Sequence, residues 1–197
     1  MKLCYLIFFL IPLFFTAAAQ GGPLQGYIVT KNGRQLTGYI SDVLQVREGG
    51  VVAFINDFGS VYYIQAELIR GFVFRNGEEY VAYASMPARR GWHFLCIVEK
   101  GPGLSLYLAP EQRVSIQAGG MPLQARKQEV EEYWLLFKDK KIKRVSKAGY
   151  KGKMRRLLRK RAPELSEKIG EEGYRFRDLP AIVREYNRHS TQRRFTI

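Results

Sequence analysis

A chain of 197 residues is long enough for one domain with a sizeable core, and 46% hydrophobic with 13% aromatic residues excludes intrinsic disorder. The net charge of +14 is unevenly spread: residues 20–121 hold 9 Lys+Arg against 8 Asp+Glu, or +1, whereas residues 122–197 hold 22 against 10, or +12. Two histidines and two cysteines argue against a zinc site of the usual ligands.

Met1 to Ala19 has the three parts of an export signal: a positive start at Lys2, an apolar run from Leu3 to Phe15, and the small residues Ala17-Ala18-Ala19. The run of 13 residues is short of the ~20 that span hydrocarbon, so no transmembrane segment is expected after cleavage, and Gln20 becomes the mature N-terminus. Cys4 leaves with this leader and lies too early to be a lipidated cysteine. Cys96 is then the one remaining thiol, so no internal disulfide forms. It sits in the apolar strand Phe94-Leu95-Cys96-Ile97-Val98 and is expected to be buried and inert.

From Gly26 to Ala109 the chain is a series of short apolar runs separated by turn signals. Tyr27-Ile28-Val29 and Leu36 to Ile40 flank Lys31-Asn32-Gly33-Arg34, where Asn and Gly tolerate the positive φ of a tight hairpin. Val51 to Ile55 and Val61 to Ile64 form a second pair, apolar on both faces and so read as central strands. One helical turn is expected over Gln65 to Leu68, then strands over Ile69 to Phe74, Tyr80 to Ala84, Trp92 to Glu99 and Leu104 to Leu108. The turns between them are Asn76-Gly77, Met86 to Gly91 and Gly101-Pro102-Gly103. Pro110 to Gln128 reads as an irregular connection with a short strand near Val114-Ser115-Ile116. Glu132 to Lys138 and Ile142 to Val145 are the last hairpin, turning at Asp139-Lys140.

Period-2 spacing then gives way to helical spacing. Tyr150, Met154, Leu157 and Leu158 share one helical face. Pro163 ends this helix or starts a second one through Ile169. Leu179, Ile182, Val183 and Tyr186 make the stripe of a final helix, with Asp178 near its start and Pro180 in its first turn. Residues 1–19 are thus read as a cleaved signal and 20–147 as an antiparallel β domain. Residues 148–190 are a basic helical tail packed on it, and 191–197 a frayed end. The expected class is mainly β (α+β): an antiparallel meander, each strand turning into the next, that curls into a barrel or roll and is followed by two to three short helices.

Gly26-Tyr27-Ile28-Val29, Asn32-Gly33, Leu36-Thr37-Gly38-Tyr39-Ile40 and Glu67-Leu68-Ile69-Arg70-Gly71-Phe72 carry a resemblance, joined by Tyr150-Lys151-Gly152-Lys153 and Arg184-Glu185-Tyr186-Asn187. The chain resembles an uncharacterised family of exported, signal-peptide-bearing Bacteroidetes proteins. The resemblance implies a place in the envelope of a Gram-negative cell, and no activity.

No stretch forms a catalytic motif. His93 lies in a strand and His189 near the C-terminus, neither beside a nucleophile signature, and Gly-x-Ser-x-Gly is absent. Glu78-Glu79 and Glu131-Glu132 are adjacent pairs whose members point to opposite faces of a strand, so neither makes one site. Gly101-x-Gly103 lacks the Lys-Ser/Thr of a phosphate loop and reads as a turn. Tyr62-Tyr63, Tyr80, Tyr83 and Tyr107 are read as core and cross-strand packing, with a sugar- or base-stacking stripe as the sharper alternative. The anomaly is Lys138 to Arg161, which holds 13 Lys+Arg and a single acid, Asp139, in 24 residues. Its candidate anion-binding residues are Lys151, Lys153, Arg155, Arg156, Arg159 and Lys160, weighed against a merely solvated face. No catalytic residue, metal ligand or cofactor is assigned. The functional expectation is an exported, non-enzymatic envelope module, periplasmic or at the cell surface, that contacts an anionic surface or glycan or a protein partner; nucleic acid is not its expected partner. The competing reading is a carbohydrate- or small-ligand-binding protein or hydrolase with an aromatic-lined pocket in the β domain.

Overall fold

The structure, a computed structural model, describes residues 22–46, 48–88, 90–108, 113–115, 130–138 and 142–192. The leader, most of the connection after Leu108, the turn at Asp139-Lys140 and residues 193–197 lie outside the described residues. Within them the chain runs β1 (Leu24–Thr30), β2 (Gln35–Val46), β3 (Gly49–Asn56), β4 (Val61–Gln65), a 3₁₀ turn (Ala66–Leu68), β5 (Ile69–Asn76), β6 (Glu79–Pro87), β7 (Trp92–Glu99) and β8 (Leu104–Leu108). There follow β9 (Arg113–Ser115), β10 (Glu132–Phe137), β11 (Ile142–Ser146), α1 (Tyr150–Leu158), α2 (Pro163–Lys168), a second 3₁₀ turn (Phe176–Asp178) and α3 (Leu179–Gln192). The final helix runs through residues 190–192, which the sequence reading left partly to a frayed end.

Ten antiparallel strands form one sheet in the order β11-β10-β8-β7-β6-β5-β1-β2-β3-β4, and β9 pairs β2 beside this path. The simple meander fails in two places. After β4 the 3₁₀ turn carries the chain away, and β5 pairs with β1 instead, setting Ile28 opposite Phe72. After β8 the chain leaves to pair β9 with β2, so β10 returns to β8, with Leu135 opposite Leu106. Both choices bring apolar residues to a shared core that no local turn signal specifies.

The barrel expected from the sequence is not closed. β2 extends to Val46, well past the expected Ile40, and a register shift between Ile40 and Asp42 bends it. The bend brings β2 and β3 up to β7, yet no strand ladder joins them. The Gln45 amide bridges the gap: its Nε2 donates to the Phe94 carbonyl, and its Oε1 accepts from the Phe94 N–H at 3.3 Å. The interior of this curled half is packed with Ile40, Val52, Phe54, Phe72, Phe74 and Phe94, among others. Phe72 stacks on Tyr83 at 4.8 Å between ring centres and meets Phe94 edge-on at 5.0 Å. The sheet thus ends openly at β4 and β11.

β8, β10 and β11 bury Leu104, Leu106, Leu135, Phe137 and Val145 under the three helices, which contribute Met154, Leu158, Leu165, Ile169, Leu179 and Ile182 to one core. Pro163 occupies the first turn of α2 and Pro180 that of α3, where a missing N–H costs nothing. α3 is latched by Asn187. Its Oδ1 accepts from the N–H groups of Gly103 (3.1 Å) and Leu104 (2.9 Å), and its Nδ2 donates to the Leu104 carbonyl at 2.8 Å. The Asn187 amide lies where a Cβ on Gly101 would stand, so that turn needs glycine. Arg184 adds an ion pair to Glu99 at 3.2 Å.

Three local readings need correction. β4 is an exposed edge strand, not a central one. The tyrosines divide: Tyr83 and Tyr107 are buried, whereas Tyr62, Tyr63 and Tyr80 stand out in solvent. Cys96 is half-buried, at the margin of the curled core.

Candidate functional site

The basic segment becomes a surface because α1 has one apolar face and buries it. Tyr150, Met154 and Leu158 recur every four residues, the spacing that aligns side chains along a helix, and all three are buried. The Tyr150 hydroxyl donates to the Tyr174 carbonyl at 2.8 Å, and burial raises its pKa above the usual tyrosine value, with Asp178 adding to the shift. With that face fixed, Lys151, Arg155, Arg156, Arg159 and Lys160 are exposed and Lys153 is half-buried. All six sequence candidates therefore lie on one helix and its C-terminal turn.

They are not equivalent. Arg155 is a strut: its Nε donates to the Ile169 carbonyl (3.2 Å) and its Nη2 to the Glu167 carbonyl (3.3 Å), satisfying groups at the C-terminal end of α2, where a cation also suits the helix dipole. Ser166 Oγ answers by donating to the Arg155 carbonyl at 2.9 Å. The stem of Lys151 lies over Gly170, whose added Cβ would stand 2.8 Å from Lys151 Cε. Just beyond the helix, the Arg161 guanidinium covers the Phe137 ring at 4.7 Å, and Arg144 on β11 covers Trp134 at 4.5 Å. Lys153, Arg156, Arg159 and Lys160 have no carboxylate partner among the described residues. The ion pairs Lys168–Glu185, Arg177–Asp178, Arg184–Glu99 and His189–Glu185 all lie elsewhere. Four uncompensated cations on one solvent-facing helix make an electrostatic surface for anions, without the geometry of a small buried pocket. Lys140 and Lys141 lie outside the described residues.

The curled core of the sheet is packed with Phe72, Phe74 and Phe94. Among the described residues a shallow cleft of about 230 Å³ lies beside the seam, lined by Glu48, Gly49, Gly50, Glu67, Gly91 and Trp92. The Lys31 ammonium lies 4.2 Å above the Trp92 ring centre. No group of His, Cys, Asp or Glu among the described residues could hold a metal ion, and no helix among them is long and apolar enough to cross a membrane. Glu78 and Glu79 are exposed at the β5–β6 turn, while Glu132 accepts from Trp134 Nε1 at 2.7 Å. His189 is an exposed neighbour of Glu185.

His93 is a buried histidine outside these surfaces. Its Nε2 lies 2.9 Å from the Arg90 carbonyl, its Nδ1 has no hydrogen-bond partner among the described residues, and burial followed by the charge of Arg144 holds its pKa below the usual histidine value. Sequence reasoning singled out neither the Arg155 strut nor the Asn187 latch; each depends on backbone groups brought together by folding. No family model, no curated protein and no solved structure matches this chain.

Proposed function

We propose that this protein is an exported, non-enzymatic interaction module of the cell envelope, and that the outer face of α1 contacts an anionic surface or glycan there. The leader of Met1 to Ala19 and the resemblance to exported Bacteroidetes proteins support the location. The observation that carries the contact is the set Arg156, Arg159 and Lys160 on the side of α1 and its C-terminal turn away from Met154 and Leu158, with half-buried Lys153 on the flank, none with a carboxylate partner among the described residues. Because the apolar stripe is consumed by the core, this face adsorbs rather than inserts. Attraction of this kind is screened over about 8 Å at physiological salt, so binding is weak and steeply salt-dependent. On a duplex polyanion, about four neutralised charges would give a log–log salt slope near −3.6.

The test is binding of anionic vesicles, lipopolysaccharide and heparin at two salt concentrations. Wild type is compared with a variant carrying Lys153, Arg156, Arg159 and Lys160 changed together to Gln, with Arg155 left in place as a strut. Loss of salt-sensitive binding in the variant supports the proposal; equal binding, or none by wild type at low salt, reduces the basic face to a solvated surface. A second reading, binding of a small carbohydrate or cationic ligand, has one observation in its favour: Trp92, Glu48 and Glu67 share the cleft. Titration of Trp92 fluorescence in a Trp134→Phe background discriminates it.

A further inference from the structure

The two ends of the sheet are unlike. β11 carries Lys143 and Arg144, the kind of charge that discourages a strand edge from pairing with another chain. β4 carries none, and from Gly49 to Gln65 the only charged residue is Asp57. Val61, Tyr62 and Tyr63 are 51%, 50% and 77% exposed; Phe58 in the preceding turn is 94% exposed, and Leu68 just after the strand 59%.

The backbone of this edge is oriented for pairing. The Asn56 N–H donates to the Ser60 carbonyl at 3.0 Å, which makes Asn56 and Ser60 a bonded pair at the base of the turn. In an antiparallel ladder bonded and unbonded pairs alternate, so Tyr62 bonds to Phe54 and Ile64 to Val52. The N–H and C=O groups of Val61, Tyr63 and Gln65 therefore point away from β3, to the open edge.

We infer that β4 pairs with β4 of a second copy of this chain, antiparallel and two-fold about Tyr63. In that register Tyr63 faces the partner's Tyr63 and Val61 faces the partner's Gln65, so each outward backbone group finds its complement. Phe58 lies five residues before Tyr63 and Leu68 five after it. The same axis thus brings Phe58 of each copy towards the partner's Leu68, covering apolar side chains that a lone chain leaves in water. Charge favours a second copy as the occupant: the chain's excess of +12 lies in residues 122–197, and the β3–β4 hairpin brings no cation to the contact. The inference is independent of what the basic face binds.

Sedimentation velocity of the purified protein from about 1 to 500 µM tests this, because an interface of this size belongs at the weak end of the range. Wild type is expected to show a reversible, concentration-dependent dimer. Tyr63→Lys changes an exposed side chain whose backbone β3 does not use, and it sets two ammonium groups face to face; the dimer should weaken at least about tenfold. Tyr63→Glu should do the same, and mixing the two variants should restore a heterodimer, which requires residue 63 to face its own copy. Circular dichroism and thermal midpoints check that both variants remain folded. A wild type that is monomeric across the range overturns the inference, as does a Tyr63→Lys dimer as tight as wild type. A folded Lys–Glu mixture that stays monomeric overturns it too.

Discussion

Between β2 and β7 the curled half of the sheet encloses its core with strands and one short 3₁₀ turn. β8, β10 and β11 bury a similar apolar face under three helices. The means of closure decides where charge can go. A sheet folded towards itself leaves only its outer strand faces in water, and here these carry tyrosines and few charges. A helix laid on a sheet exposes more than half of its circumference, and α1 fills that arc with Lys and Arg. Each half is also fastened by one buried amide. Gln45 ties β2 to β7 across the unclosed seam, and Asn187 ties α3 to the β7–β8 turn.

Emptying each core should have the largest effect and would show whether the halves fold as one unit. Phe72→Ala removes a fully buried ring from the curled core, and Ile182→Ala removes a buried side chain beneath α3. Losses of about 3–5 and 2–5 kcal/mol respectively are expected. β7 carries residues packed against both cores, Phe94 against the first and Val98 against the second, so a single cooperative denaturant transition should move in both variants. Two transitions, each sensitive to only one substitution, would separate the halves.

The amides come next. Asn187→Ala leaves the N–H groups of Gly103 and Leu104 without their acceptor, and Gln45→Ala strips the Phe94 N–H and C=O of their partner. Buried groups left unsatisfied cost about 1–3 kcal/mol each. In each variant the midpoint of the single transition should fall, with far- and near-ultraviolet circular dichroism still lost together. A far-ultraviolet loss that precedes the aromatic one in the Asn187 variant alone would separate α3 from the rest of the fold.

The sequence revealed what local chemistry determines. Asn32-Gly33, Asn76-Gly77 and Gly101-Pro102-Gly103 mark turns that the fold contains, because a tight turn is specified by the residues within it. The four-residue spacing of Tyr150, Met154 and Leu158 likewise announced both the helix and its buried side. Pairings decided by distant partners stayed hidden. Nothing near Ile28 says that Phe72 will lie opposite, and Val61-Tyr62-Tyr63-Ile64 has the composition of a buried strand although it forms an edge. The basic site was legible as a segment, but its division into strut and free face was not: Arg155 is used by carbonyls of α2, which only folding brings within reach.

His93 supplies a pH-dependent contrast between the faces of β7. It is buried, whereas Phe94 beside it faces the curled core, which holds no histidine. An unfolded histidine titrates near 6.5, and burial with Arg144 nearby holds the folded one lower. Above about pH 6.5 both states are neutral and this contribution to stability is complete. As pH falls through that value the unfolded chain takes up the proton first, and stability declines. Denaturant midpoints measured from pH 7.5 down to 5.5 should therefore drop more in wild type than in His93→Gln. Parallel curves would show that His93 is not the group responsible.

The smallest effect on stability is expected where the proposed function lies. Arg156 and Lys160 are four residues apart on the exposed side of α1 and its C-terminal turn, and Arg155 and Arg159 have the same spacing. Like charges so placed repel, and opposing pairs of this spacing are worth about 0.2–0.5 kcal/mol. Changing Lys153, Arg156, Arg159 and Lys160 to Gln removes that repulsion and disturbs no hydrogen bond or ion pair recorded for these side chains among the described residues. Some favourable interaction with the helix C-terminus is lost as well, so the two contributions oppose each other. The midpoint should stay within about 0.5 kcal/mol of wild type, the usual range for exposed positions, with a slight gain at low salt where repulsion is strongest. A loss above about 1 kcal/mol would mean that the stems of these side chains pack as Arg155 and Arg161 do. The basic face would then belong to the same structural layer as Met154 and Leu158, and the contrast between a packed inner side and an unoccupied outer side of α1 would collapse.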